Sequence, residues 1–277
     1  MMAGSTKPRR ELRLFCVTLI ALVINAPILL MMLNSFQTTE MMLATTSVIP
    51  SQFTLANYSF LLSNTPFVTF FANSGLVAIL STALTLLAAA LAGYALSRWQ
   101  GRLLGGYARV LLMVQMFPII MALIPLFIIF RTLGLINNPA SVILVYAALH
   151  LPFATWMFRS FFDTIPRELD EAALVDGCSR LQAFLRIVLP LCGPGTAAVT
   201  VFSFLFSYNE FFVASVFLRD DTVMTVPVGV QMFMQQYATD WGSLMAAATA
   251  TMVPAFVFFL FVQKYMAHGG VEGGVKG

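Results

Sequence analysis

Apolar residues run along this chain in six long blocks, at approximately 14–34, 72–96, 109–130, 139–162, 196–218 and 242–266, with shorter polar segments between them. A helix needs roughly 20 apolar residues to cross a bilayer core of about 30 Å, so each block is long enough to span. Lipid offers no hydrogen-bond partners to a backbone, which restricts spanning segments to helices and closed barrels. No block alternates polar and apolar residues as a barrel strand does. The pattern predicts an all-α integral membrane protein with six transmembrane helices. Only the block at 196–218 contains an acidic residue, Glu210.

Composition agrees. Charged residues make up 10% of the 277, against roughly 25% in soluble proteins, and mean hydropathy is +0.87. The net charge of +3 is too small to suggest a nucleic-acid partner. Its distribution says more. With residues 1–13 on the cytoplasmic side, 13 of the 15 Lys and Arg residues fall on that side, and only Arg131 and Arg219 fall outside. This asymmetry predicts that both termini are cytoplasmic. The apolar run Leu14–Leu33 after Lys7, Arg9, Arg10 and Arg13 exceeds the 7–15 residues of a signal-peptide core and meets no A-x-A site, so it reads as a retained first span. Cys16, Cys178 and Cys192 are widely separated and show no metal-ligand spacing, so no metal is expected.

One polar island interrupts this pattern. Residues 163–190, between the fourth and fifth blocks, carry two short helices by their caps. Pro166 suits a first helical turn, and Glu168, Asp170 and Glu171 complement the positive end of the helix dipole. Gly177 supplies a left-handed stop. Ser179 followed by Gln182 forms a capping box, Pro190 is expected to end the second helix, and Gly193-Pro194-Gly195 turns the chain back toward the bilayer. Polar residues in the spans are candidates for a solute pathway: Gln115, Tyr146, His150, Tyr208, Asn209 and Glu210. Tyr146 and His150 share a helix face. An unpaired charge at a bilayer centre costs about 2.5–3.5 kcal/mol, so Glu210 must meet a cavity, water or a partner across an interface. Residues 35–71 and 219–241 form the larger external segments.

The island's spacing is specific: Glu171-Ala172-Ala173, three residues, Gly177, nine residues, Ile187, one residue, Leu189-Pro190. It resembles the signature loop of ABC-importer permeases. The segments Gly93–Arg102, Val114–Pro118, Ser207–Asp220 and Gly269–Gly277 extend the likeness to carbohydrate-uptake permeases, nearest to the smaller permease subunit of maltose-type importers. Tyr208-Asn209-Glu210 resembles that family's W-N-E/D pattern with Tyr in place of Trp. The resemblance implies a type I ABC-importer permease architecture in a bacterial inner membrane. It implies a second permease subunit, two copies of an ABC ATPase and an extracytoplasmic solute-binding protein, which residues 219–241 would contact. Glu171, Ala172, Ala173, Asp176, Gly177, Leu189 and Pro190 would dock the ATPase, and residues 267–277 would extend toward it. The chain holds no G-x-x-x-x-G-K-[ST] phosphate loop, so it is expected to bind no cofactor, with ATP and Mg on the ATPase. A non-sugar solute (polyol, phosphodiester or peptide) leaves the loop unchanged. An ion-coupled secondary transporter needs intramembrane ionisable pairs, and the spans offer one carboxylate.

Overall fold

The computed structural model describes residues 7–44, 50, 52–234 and 239–270, and these form helices joined by turns with no named strand among them. Among the described residues, four helices are long and apolar enough to cross a membrane: α1 (Lys7–Asn34), α4 (Phe67–Arg98), α7 (Pro139–Phe162) and α14 (Trp241–Gly270). Short helices include α2 (Thr39–Ala44) and α3 (Ala56–Asn64), in the segment after α1, and α13 (Val226–Gly229).

The third and fifth apolar blocks are not single helices. The third is split into α5 (Arg102–Met116) and α6 (Ile119–Thr132), bent by 101°. Pro118 explains the break: proline has no N–H to donate, and it pushes the preceding residue, Phe117, into the extended conformation (φ −81°, ψ 124°). The fifth runs as α11 (Gly193–Asn209) and α12 (Phe212–Phe217), interrupted where Glu210 adopts extended backbone (φ −72°, ψ 128°). Among the described residues up to six spans result if α5 with α6, and Arg180–Leu191 with α11 (bent by 80°), are each taken as one.

The described chain divides into two compact units. One contains the residues up to Thr65 together with Val230–Thr251. Its centre is polar: Asn57, 5% exposed, donates through Nδ2 to the carbonyls of Ser35 (2.9 Å) and Gln37 (2.7 Å). A Cβ at Gly242 would sit 2.8 Å from both the Asn57 Oδ1 and the Gln37 carbonyl, so glycine is required for this approach. Asp240 caps the start of α14, accepting from the Thr39 hydroxyl (2.7 Å) and the Ser243 N–H (3.2 Å). Burial alone would raise the Asp240 carboxyl, but these hydrogen bonds outweigh it and hold the group below its ordinary value. By contrast α1 buries none of its most apolar window, which leaves its sides to lipid or another chain.

The second unit, Pro66–Gly229 with the segment from Met252, is built on α4 against α7. Gly93 lets these helices approach closely: a Cβ there would lie 2.8 Å from the Phe158 Cβ and 3.0 Å from the Thr155 carbonyl oxygen. Small residues at crossings are the usual device in lipid, where packing rather than hydrophobic expulsion draws helices together. Two of the apolar clusters among the described residues are built on this pair. One joins Val77, Val142, Tyr146, Val213 and Phe217. The other joins Tyr94, Phe158, Phe162, Phe184, Val188 and Val199, and so reaches from the bundle into the island.

Candidate functional site

The island folds as α8 (Glu168–Val175), α9 (Arg180–Ala183), a π turn (Phe184–Val188) and α10 (Leu189–Leu191). The end of α8 is a full Schellman motif. Gly177 takes φ +85°, its N–H donates to the Leu174 carbonyl (3.1 Å), and the Cys178 N–H donates to the Ala173 carbonyl (3.0 Å). Both bonds of the expected capping box are present: Ser179 Oγ accepts from the Gln182 N–H (3.3 Å), and Gln182 Oε1 accepts from the Ser179 N–H (2.8 Å).

Pro190 does not end the second helix, contrary to the expectation from sequence. The helical path runs through it to Leu191, and the sharp bend of 80° comes at Cys192 before α11 begins. A proline inside an α-helix clashes with the carbonyl four residues back. Here the turn before it widens, with the Leu189 N–H bonded to the Phe184 carbonyl in the i→i+5 register. The π turn accommodates the ring without breaking the rod.

Of the residues expected to dock an ATPase, Glu171, Ala172, Asp176, Gly177 and Pro190 are exposed, Leu189 is half-buried, and Ala173 is buried as the seat of α8 on its neighbours. Val175, 88% exposed, adds an apolar side chain that water alone does not favour.

The island is held to the bundle by a polar clamp that sequence reading missed. Arg98, at the end of α4, pairs with Asp170 (Nε to Oδ2, 2.9 Å) and donates to the carbonyls of Phe162 (3.0 Å) and Ile165 (3.1 Å). The Tyr94 hydroxyl donates to the other Asp170 oxygen. Ser97 Oγ donates to Asp163 (2.6 Å), and Arg167 donates to the Ser97 carbonyl (2.8 Å). The Arg98 and Asp170 side chains are only 6% and 13% exposed. Arg98 and Asp170 each make further hydrogen bonds besides the pair itself, and removing one partner would strand the other. Arg98 and Asp170 are 72 residues apart, and no local spacing rule pairs them.

The pathway candidates separate into groups. Tyr146, fully buried, donates from its hydroxyl to Glu210 Oε2 (2.6 Å). The same carboxylate accepts from the N–H groups of Val213 (3.0 Å) and Ala214 (3.4 Å), so Glu210 caps α12 at the break. Its charge is met within the chain. His150 lies beside Tyr146 (ring centroids 6.3 Å) with Nδ1 3.3 Å from Ser207 Oγ, which accepts from Ser81 Oγ (2.9 Å). Tyr208 is buried and stacks on Phe204. Asn209 is exposed and donates to its own helix at the Leu205 carbonyl (2.8 Å). Gln115 is on an exposed part of α5 just before the Pro118 break and hydrogen-bonds to none of these.

Tyr146 and Glu210 therefore carry a testable structural role. Tyr146→Phe removes one donor from a carboxylate, a contribution of about 1.5–3 kcal/mol, and Glu210→Gln removes an acceptor from the α12 cap. Both substitutions are expected to lower the unfolding temperature of the detergent-solubilised protein and to reduce uptake, with the double variant no worse than the stronger single one. Unchanged thermal stability in both would remove the cap from this account and return Glu210 to the solute pathway.

An apolar helical bundle that presents a capped polar helix pair at one end is the architecture of a type I ABC-importer permease. Over residues 84–269 the chain matches the family described as binding-protein-dependent transport system inner membrane component, and it belongs to that family. Among curated relatives, the sulfoquinovosyl glycerol transport system permease protein SmoH of Agrobacterium fabrum is 39% identical, over 81% of this chain and 79% of its own length. The trehalose/maltose transport system permease protein MalG of Thermococcus litoralis is 34% identical over 97% of this chain and 98% of its own. The same fold occurs in the crystal structure of a bacterial ABC transporter involved in import of the acidic polysaccharide alginate, with a TM-score of 0.80, 21% identity, and coverage of 96% of this chain and 99% of that one. The chain is thus a multi-pass membrane transport subunit and not an enzyme.

Proposed function

We propose that this subunit forms half of the pathway by which an ATP-driven importer moves a sugar or glycoside into the cytoplasm. It works with a second permease subunit, two copies of an ABC ATPase and an extracytoplasmic solute-binding protein, in a bacterial inner membrane with both termini cytoplasmic. The observation that carries the reading is the island: two capped helices, clamped to the bundle by buried polar contacts, with Glu171, Ala172, Val175 and Asp176 left exposed. A rigid protrusion with an exposed, partly apolar end suits a protein partner better than water. Of the tail 267–277, expected to extend toward the ATPase, residues 271–277 lie outside the described residues. The sugar cargo rests on relatives named for transport of glycosides.

Bilayer permeation would be driven by alternating access, a two-state equilibrium biased by nucleotide on one side and by the loaded binding protein on the other. The test is reconstitution of the complete transporter in proteoliposomes with labelled glycosides, polyols, phosphodiesters and peptides outside. Saturable, ATP-dependent accumulation of a glycoside is expected. Uptake confined to the other classes would overturn the cargo, and failure of the ATPase to associate would overturn the docking assignment.

A further inference from the structure

The helix α4 joins both surfaces to which partners have been assigned. Its C-terminal turn carries Tyr94, Ser97 and Arg98, which grip the island through Asp170, Asp163 and the Phe162 and Ile165 carbonyls. Near its N-terminus, Asn73 Nδ2 donates to the carbonyls of Thr222 (3.1 Å) and Met224 (3.0 Å), and Ser74 Oγ accepts from the Val226 N–H (2.8 Å). A Cβ at Gly229 would lie 2.2 Å from the Phe70 ring, so the same segment seats directly on α4. These contacts hold the first part of the loop 219–241, the segment assigned to the solute-binding protein. The two grips, at Asn73 and at Arg98, lie about 38 Å apart along a helix of 32 residues, about 48 Å long. That length exceeds the roughly 40–45 Å of a bilayer with its headgroups.

The lack of an interior proline in α4 is equally distinctive. The other three long helices carry an interior proline, at Pro27, Pro152 and Pro254, and the two bent pairs are broken by 101° and 80°. Each such site interrupts the i→i−4 ladder and admits bending. Within α4 there is no proline, so its ladder has no such interruption.

We infer that α4 is a coupling strut: it carries the effect of a binding protein seated on the 219–229 end to the ATPase-docking island, with Asn73 and Ser74 at one end and Arg98 with Asp170 at the other as positioning residues. The inference rests on the partner assignments made above and adds which element connects them. In energetic terms, loaded binding protein and nucleotide bias one two-state equilibrium, and α4 makes a shift at one end unfavourable without a matching shift at the other. Contacts at the two ends then act on one quantity, and damage to either end removes the same coupling.

The experiment measures ATP hydrolysis by the reconstituted transporter with and without solute-loaded binding protein. Asn73→Leu is expected to leave basal hydrolysis unchanged and to cut the stimulation by loaded binding protein about five-fold or more, the lower end of ordinary allosteric coupling. Arg98→Gln is expected to lower the same ratio, and the Asn73→Leu/Arg98→Gln double variant to fall no further than the stronger single one. Because Arg98→Gln risks poor assembly, the deciding variant touches neither end. Ala83→Gly with Ala88→Gly replaces two exposed mid-helix residues and loosens the ladder. It is expected to assemble normally, hydrolyse ATP at the basal rate, and lose stimulation. Wild-type stimulation in this variant, or independent multiplicative losses in the double variant, overturns the strut while leaving the partner assignments intact. A wild-type complex that shows no stimulation at all defeats those assignments, and the strut with them.

Discussion

Gly177→Val is expected to abolish uptake while the protein still inserts and accumulates in the membrane. Gly177 takes φ +85°, where a side chain with a branched Cβ is strained by roughly 1–2 kcal/mol. The cost is conformational, because a Cβ at this position would meet nothing within 4 Å in the folded chain. Relief comes from opening the Schellman turn, which frees the Leu174 and Ala173 carbonyls and swings Asp176 and the end of α8 away from their positions. Asn and Asp both enter the left-handed region more readily, so they separate two effects. Gly177→Asn is expected to keep the turn and most of the uptake. Gly177→Asp keeps the turn but adds a charge at the exposed tip, and its uptake is expected to be abolished, as with Glu171→Lys, through the partner contact. Uptake and co-purification of the ATPase measured on the same membranes distinguish these cases. Normal transport and recruitment in Gly177→Val, Gly177→Asp and Glu171→Lys would end the assignment of the island as the docking site.

Gly93→Leu is expected to remove folded protein altogether. At this crossing even a methyl group would stand 2.8 Å from the Phe158 Cβ and 3.0 Å from both the Arg159 nitrogen and the Thr155 carbonyl oxygen. Two of these three neighbours are backbone atoms of α7, which cannot rotate aside, so the helices themselves must part. Overpacking a rigid core costs about 1–3 kcal/mol for small insertions. Here the separation also strips Tyr94 from Phe162 and Phe184, whose rings lie 5.9 and 4.7 Å from it, and loosens the attachment of the island. Size-exclusion profiles of the detergent-extracted protein are expected to shift from a single peak to aggregate. Gly105→Ala on α5 is the control, since nothing lies within 4 Å of its Cβ, and it is expected to behave as the unaltered protein. A monodisperse, thermally stable Gly93→Leu protein would contradict the close α4–α7 contact.

The caps of the island show what was legible from local rules. Gly177 stops α8 in the left-handed conformation, and Ser179 with Gln182 forms the capping box, because both devices are closed within six or fewer consecutive residues. Pro190 shows where a local rule misleads. Proline was expected to end a helix, yet the chain widened into a π turn and ran one residue past Pro190, to Leu191, with Phe184 and Val188 anchored in the second apolar cluster. Tertiary burial outweighed the local penalty. Glu210 was legible as an anomaly, a carboxylate in an apolar block, but its resolution was not. The helix breaks at it, and Tyr146 reaches the carboxylate from a different helix, 64 residues away.

Sequence alone determined that this chain lies in a membrane, how many apolar blocks it has, and where a polar helix pair interrupts them. Those properties are set by hydropathy, by cap residues and by bonds between near neighbours, all of which are local. Only the tertiary structure decided that two apolar blocks are broken, that Arg98 and Asp170 clamp the island to α4, and that Asn73 and Ser74 hold the far loop to the same helix. Such contacts depend on which side chains a helix crossing brings within 3 Å of each other. That crossing is fixed by packing at Gly93 and its neighbours on α7, which no linear pattern of polar and apolar residues encodes.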